Sequence, residues 1–79
     1  MKIMKKSNDL VENREKIIEL FEKFGLLLSK GQKLTLELYL IEDLSMNEIA
    51  DELSISKSAV HDSIKKGVQK LFAIQEKLE

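Results

Sequence analysis

The hydrophobic positions in the first third of the chain recur at helical spacing. Over about residues 9–28 they form one broad stripe, with Glu12, Glu15, Glu19 and Lys23 on the opposite side. The stripe contains Leu10, Ile17, Leu20, Phe21, Phe24, Leu27 and Leu28. A stripe of this width predicts an amphipathic helix that buries one face and leaves the other in water.

Three serines mark the starts of further helices in a chain that has no proline. Ser29 and Ser45 each precede a Gln or Glu by three residues, at Gln32 and Glu48. This is the capping-box spacing, and it predicts a second helix over about residues 29–42 and a short third helix from residue 45. Ser56 is a suitable N-cap for a fourth helix. The inner face of that helix would carry Val60, Ile64, Gly67, Val68, Leu71, Ile74 and Leu78. Gly67 costs the helix about 1 kcal/mol relative to Ala, so it either allows close packing or marks a bend.

The predicted second helix is apolar on two faces. One face carries Leu34, Leu38 and Ile41, and the other carries Leu36, Tyr39 and Leu40. Burial on one side cannot hide all six, so this helix is either central or part of an interface. We therefore expect a homodimer formed through the first, second or last helix. The alternative is that the first helix folds over the second and closes a four-helix core.

Residues 45–70 have the layout of a helix-turn-helix. A short capped helix, the connection at residues 54–56 and a longer helix starting at Lys57 follow one another. Ala50 is small where the two helices would cross, and a wedge of larger residues would fix the crossing: Ile49, Leu53, Ile55, Val60 and Ile64. An ordinary helical hairpin is the alternative. The expected fold is all-α, a small single domain of four to five helices over residues 1–79, with a flexible N-terminus at residues 1–8.

Composition narrows the possible functions. The 79 residues include no Cys and one His, His61, so we expect no disulfide, metal site or cofactor. No nucleophile or pocket accompanies the carboxylates, and we expect a protein that is not an enzyme. The absence of a long apolar run, and of a signal segment after the basic start, predicts a cytoplasmic protein without membrane insertion. The formal net charge of −1 means that any nucleic-acid binding must use a local patch.

The helix-turn-helix segment resembles a known DNA-binding module. LSMNEIADELSISKSAVHDSIKKGVQKL resembles region four of bacterial sigma factors, which recognises promoter DNA. Over about residues 26–78 the chain resembles the YlxM family more narrowly, through LELYLIEDLSMNEIADEL and SISKSAVHDSIKK. That family consists of small bacterial proteins associated by gene neighbourhood with the signal recognition particle. The resemblance implies a DNA-binding transcription regulator, with double-stranded DNA and signal recognition particle components as partners.

The resemblance also implies which residues would meet DNA. The base-facing positions correspond to Lys57, Ser58, His61 and Asp62, with Lys65 and Lys66 near the phosphate backbone. Asp62 fits this role poorly, because among bases it can usefully accept only from cytosine. Residues 56–70 carry four lysines and one aspartate, a net charge of +3, which favours weak phosphate-driven association. The alternative is a protein-interaction adaptor that retains the fold without sequence-specific DNA binding.

Overall fold

The computed structural model describes residues 14–78, and four α-helices make up most of this part of the chain. They are α1 (Arg14–Phe24), α2 (Lys30–Leu36), α3 (Met46–Leu53) and α4 (Lys57–Leu78). A 3₁₀ turn, Gly25–Leu27, follows α1, and a π-helical turn, Glu37–Ile41, continues α2. The predicted small all-α fold is confirmed. Leu10 and the predicted N-terminus at residues 1–8 lie outside the described residues.

Serine caps begin α3 and α4 as the sequence predicts. The Oγ of Ser45 accepts from the Glu48 N–H at 3.1 Å, and the Ser45 N–H donates to Glu48 Oε1 at 2.8 Å, so the capping box is complete. The Oγ of Ser56 accepts from the Ala59 N–H at 3.0 Å. Each bond satisfies a backbone or side-chain group that the helix end would otherwise leave open. These caps fix where the two helices of the helix-turn-helix start.

Only half of the predicted capping box forms at α2. Ser29 Oγ accepts from the Gln32 N–H at 3.3 Å, but Gln32 Oε1 is buried and has no hydrogen-bond partner within residues 14–78. The Gln32 side chain lies against α4 near Gly67 instead of turning back to the cap. Packing between helices therefore overrides the local hydrogen bond at this position.

The longest helix, α4, is the centre of the fold, since α1, α2 and α3 all pack against it. Each of the four α-helices contributes at least one residue that is fully or almost fully buried. These are Ile17, Leu20, Leu36, Ile49, Val60, Ile64 and Leu71. Burying a side chain of this size contributes about 1.5–3 kcal/mol relative to leaving it exposed. The core therefore links each of the other three α-helices to α4.

The two apolar faces of the predicted second helix differ in how far they are buried. Leu36 and Leu40 are buried in the core, whereas Leu34 is 43% exposed and Ile41 is 47% exposed. Two other residues that the sequence analysis expects to be buried are also exposed. Leu27 is 55% exposed at the end of the 3₁₀ turn, and Ile55 is 40% exposed in the connection before α4. Ile55 is therefore not part of the hydrophobic wedge, which the buried Ile49, Val60 and Ile64 form together with the partly buried Leu53.

Arg14 of α1 closes the C-terminal end of the second helix. In the π-helical turn the Glu42 N–H donates five residues back to Glu37 O, at 3.1 Å. The carbonyls of Tyr39 and Leu40 accept instead from Arg14 Nη2, at 3.1 and 3.3 Å, and the same nitrogen lies 2.9 Å from Asp43 Oδ1. The guanidinium also lies 5.5 Å from the centroid of the Tyr39 ring. One side chain from α1 thus satisfies carbonyls that the widened turn leaves open.

Gly67 lies where α4 packs closely against α2. A Cβ built at this position would lie 2.8 Å from Leu36 Cδ1 and 3.6 Å from Gln32 Cβ. Leu36 is fully buried and cannot move away without disturbing the core. The glycine is therefore required for close helix packing, one of the two reasons that the sequence suggests for it.

We predict that Gly67→Ala destabilises the protein, although Ala favours a helix by about 1 kcal/mol over Gly. Overpacking against Leu36 costs about 1–3 kcal/mol, so the net decrease in the free energy of unfolding should be about 1 kcal/mol, within a range of about 0–2 kcal/mol. Gly31→Ala is the matched control, because a Cβ at residue 31 meets nothing within 4 Å. Urea unfolding followed by circular dichroism should show a decrease for the first variant and none for the second. Equal behaviour of the two would contradict the packing role of Gly67.

We predict that Arg14 acts mainly through the two carbonyls and only weakly through Asp43. Arg14→Met should lower the free energy of unfolding by about 1 kcal/mol, a value reduced for its partial exposure. Asp43 is 85% exposed and has φ of 61°, so Asp43→Gly should change stability little, since it relieves a strained backbone as it removes a surface ion pair. Chemical denaturation of both variants is the measurement. A larger decrease for Asp43→Gly than for Arg14→Met would show that the ion pair dominates.

Candidate nucleic-acid interface

The first three turns of α4 expose every residue that the sequence places at the DNA contact. Lys57, Ser58, His61, Asp62, Lys65 and Lys66 are all exposed. Val60, Ile64 and Gly67 of the same helix are buried. Helical periodicity thus separates the core face of α4 from a polar face, which we call the α4 polar face and define by those six exposed residues.

The connection before α4 is held by backbone bonds. Ser54 has φ of 58°, a left-handed conformation at the end of α3, and the Ile55 N–H donates to Ala50 O at 3.0 Å. Many helices end with a C-terminal cap of this kind, in which the left-handed residue is usually Gly instead of Ser. The Ser56 cap follows directly. Lys57 and Ser58 are therefore placed in the first turn of α4, at the end where the helix dipole is positive.

Asp62 and Lys66 pair with each other on the α4 polar face. Asp62 Oδ2 lies 3.2 Å from Lys66 Nζ, one helical turn away, and the side chains are 60% and 63% exposed. Pairs of this kind contribute little to stability, about 0–1 kcal/mol, and salt screens them. Their effect on a ligand is larger, because the carboxylate competes with any phosphate for Lys66. The pair lowers the positive potential of the face at its middle.

The exposed polar side of α4 continues beyond the six residues of the α4 polar face. Gln69 and Lys70 are also exposed. Gln69 lies seven residues after Asp62 and four after Lys65, so it shares their side of the helix. Gln is one of the side chains that can pair with adenine, so Gln69 is a further candidate for a base contact. Its spacing of four and seven residues from Lys65 and Asp62 is the signal in the sequence that could have identified it.

A second surface feature, the acidity of the segment before the turn, was not anticipated from the sequence. Residues 42–53 contain five carboxylates and no Lys or Arg, and Glu48, Asp51 and Glu52 of α3 are exposed. When a helix-turn-helix binds DNA, its first helix crosses the phosphate backbone. These carboxylates would then repel the phosphates. The signal is present in the sequence, since residues 42–53 carry a net charge of −5 next to the net charge of +3 of residues 56–70.

Neither a metal site nor a membrane span is found in the part of the chain that the structure describes. Among residues 14–78, no three His, Asp or Glu side chains are grouped closely enough to hold a metal ion. Over the same residues, no helix combines the length and the hydropathy that crossing a bilayer needs.

The family model and the individual relatives that match this chain point to the same family. Residues 11–79 match the model of the UPF0122 family, described as "Putative helix-turn-helix protein, YlxM / p13 like". A UPF0122 protein of Mycoplasma capricolum is 49% identical over 75 residues, which cover 95% of this chain and 66% of that protein. A Desulforamulus reducens relative is 43% identical, over 80% of this chain and 54% of its own length. A Bacillus cereus relative is 36% identical, over 87% and 63% respectively.

These relatives are longer than the chain, which spans between 54% and 66% of their length. The match nevertheless includes every helix described above, together with the turn between α3 and α4. The chain belongs to the UPF0122 family of YlxM/p13-like helix-turn-helix proteins.

Proposed function

We propose that this protein binds double-stranded DNA through the α4 polar face and acts as a non-enzymatic, cytoplasmic regulator. The observation that carries the proposal is the set of exposed lysines on the outer side of α4, namely Lys57, Lys65 and Lys66. α4 is the second helix of the helix-turn-helix, and Ser56 caps it. This is the helix that enters the major groove in helix-turn-helix proteins. Family membership supports the same layout.

The charge of the α4 polar face favours weak binding that depends strongly on salt. Residues 56–70 have a net charge of +3, and lysines that neutralise phosphates release condensed counterions. Ser58 and His61 supply polar groups for base edges, and Asp62 can accept from the cytosine amino group. With so few cations, affinity falls in the range of non-specific association, with Kd of about 10⁻⁴–10⁻⁶ M at physiological salt.

A second candidate is a protein-interaction adaptor that keeps the fold without sequence-specific DNA binding. The five carboxylates of residues 42–53 favour it, because they suit a basic protein surface and oppose DNA docking by α3. Titration with duplex DNA at low salt separates the two candidates. Binding that weakens steeply with salt supports the regulator, and the absence of binding even at low salt supports the adaptor.

Resemblance to the YlxM family also leads us to propose a role in the signal recognition particle pathway. Its components would then be partners of this chain, in addition to or instead of DNA. Pull-down from cytoplasm with the tagged protein, followed by identification of bound protein and RNA, tests this role. Recovery of none of these components would remove the pathway from the proposal and leave the DNA-binding test unaffected.

We predict that replacing Lys57, Lys65 and Lys66 together by Ala reduces DNA affinity and flattens its salt dependence. The slope of log K against log salt should fall by about 0.9 for each phosphate that the variant no longer neutralises. Replacing Lys23, Lys30 and Lys77 by Ala is the matched control, since it changes net charge equally at exposed positions elsewhere. Fluorescence anisotropy at several salt concentrations measures both. An identical slope for the parent and both variants would rule out the α4 polar face as the DNA contact.

We predict that Asp62→Asn strengthens DNA binding at low salt. The change removes a carboxylate that repels phosphate and frees Lys66 from its ion pair. Surface charge terms of about 1 kcal/mol correspond to an affinity gain of about fivefold. Glu76→Gln, with the same charge change near the far end of α4, should have a much smaller effect. The same anisotropy titration is used, and weaker binding by Asp62→Asn would instead indicate a base contact made by Asp62.

A further inference from the structure

Asp62 lies at the centre of the exposed side of α4. It follows Val60 by two residues and precedes Ile64 by two, and both of these side chains are fully buried. Two residues correspond to a rotation of about 200° around a helix, so Asp62 is on the side of α4 opposite to the core. Its side chain is 60% exposed. A ligand that contacts the α4 polar face therefore meets this carboxylate.

Lysines lie on both sides of Asp62. Because each residue turns the helix by about 100°, Lys57 and Lys65 lie to one side of it. Lys66 and Lys70 lie to the other side, and all four lysines are exposed. Across its width, the surface is therefore positive at both edges and negative in the middle.

The major groove of B-DNA is complementary to this order of charges. It is about 12 Å wide, which matches the diameter of a helix with its side chains, and phosphates run along both of its edges. The lysines on the two sides of α4 can approach the two rows of phosphates while Asp62 faces the bases. An ionised carboxylate only accepts hydrogen bonds, so it requires a donor on the floor of the groove.

The two kinds of base pair present that donor differently. In A·T the adenine amino group lies between two acceptors, adenine N7 and thymine O4, and both repel a carboxylate. In G·C the cytosine amino group lies at one end of the pattern and has a single acceptor beside it, guanine O6. Lys65, three residues after Asp62 on the same exposed side, can donate to guanine O6 and N7. Asp62 and Lys65 together are thus complementary to G·C pairs.

The ion pair of Asp62 in the free protein strengthens this discrimination. Its carboxylate lies 3.2 Å from Lys66 Nζ. When Lys66 turns to a phosphate, the carboxylate loses this partner inside a groove that excludes much of the water. An unpaired charge in such a place is costly, whereas a cytosine amino group replaces the lost partner.

We propose that Asp62 determines sequence specificity by repulsion and selects duplexes with G·C pairs at its position. It weakens binding to every duplex, but least to one in which a cytosine amino group meets the carboxylate. Specificity is a difference between affinities, and a repulsive group that only one ligand neutralises produces such a difference. This specificity rests on the proposed function, because it concerns the DNA that the same face would bind.

Fluorescence anisotropy at low salt with two duplexes of equal length tests this specificity. One duplex contains only G·C pairs and the other only A·T pairs, so both offer the same number of phosphates. The parent should bind the G·C duplex at least about fivefold more tightly, the lower end of what one base contact discriminates. Asp62→Asn should gain affinity mainly for the A·T duplex and remove or reverse the preference, because Asn pairs with adenine N6 and N7.

Asp51→Asn is the matched control, since it makes the same chemical change at an exposed position of α3. It should leave the ratio of the two Kd values within about twofold of the parental ratio, the range of an ordinary surface substitution. Equal affinity of the parent for both duplexes, or tighter binding of A·T, overturns the specificity and leaves DNA binding intact. A preference that Asp62→Asn does not change also overturns it. Binding of neither duplex overturns the proposed function and this specificity together.

Discussion

The close contact between α2 and α4 at Gly67 is the constraint on which the rest of the structure depends. Leu36 occupies the space that a Cβ at residue 67 would need, and it is fully buried there. This contact fixes the distance between the two helices. α1 packs on α4 and, through Arg14, on the end of the second helix, while α3 packs on the start of α4. A wider separation would open the core at several points at once, because a domain this small has little other buried surface.

The central position of α4 explains why one helix serves both the core and the candidate interface. Its apolar side meets three helices, so the opposite side is free of the fold and can carry polar groups without reducing stability. The same arrangement limits the interface. Any reorientation of α4 towards a ligand would disturb Val60, Ile64 and Leu71, which are buried against the other helices. The core contacts of α4 therefore fix the position of the α4 polar face within the fold.

The sequence predicts well the features that depend on local bonding. The caps of Ser45 and Ser56 involve residues three positions apart, and the tight helix crossing is signalled by Gly67 in the middle of a helix. Features that depend on neighbours distant in sequence were less accessible. The π-helical turn is completed by Arg14, which lies 25 residues before Tyr39, and no local pattern links them. The buried Gln32 oxygen has the same origin, because α4 competes with the cap for that side chain.

The candidate site likewise has features that follow from local sequence and features that depend on neighbouring helices. Helical periodicity was enough to place the six predicted residues on the outside of α4, since exposure follows from position relative to the apolar stripe. Whether they bind DNA depends also on the charges of the neighbouring helix, and a count over residues 56–70 alone omits the five carboxylates of residues 42–53. The ion pair between Asp62 and Lys66 and the carboxylates of α3 appear only when each helix is considered separately.

The opposite charges of α3 and α4 have a kinetic consequence. Two packed helices, one acidic and the other basic, form an electric dipole fixed in the body of the protein. Within a Debye length of a charged surface, about 8 Å at physiological ionic strength, a dipole experiences a torque as well as a force. A polyanion near this surface would therefore favour the orientation that presents α4, and a polycation would favour the orientation that presents α3. Rotational steering of this kind would act during the encounter, before any specific bond has formed.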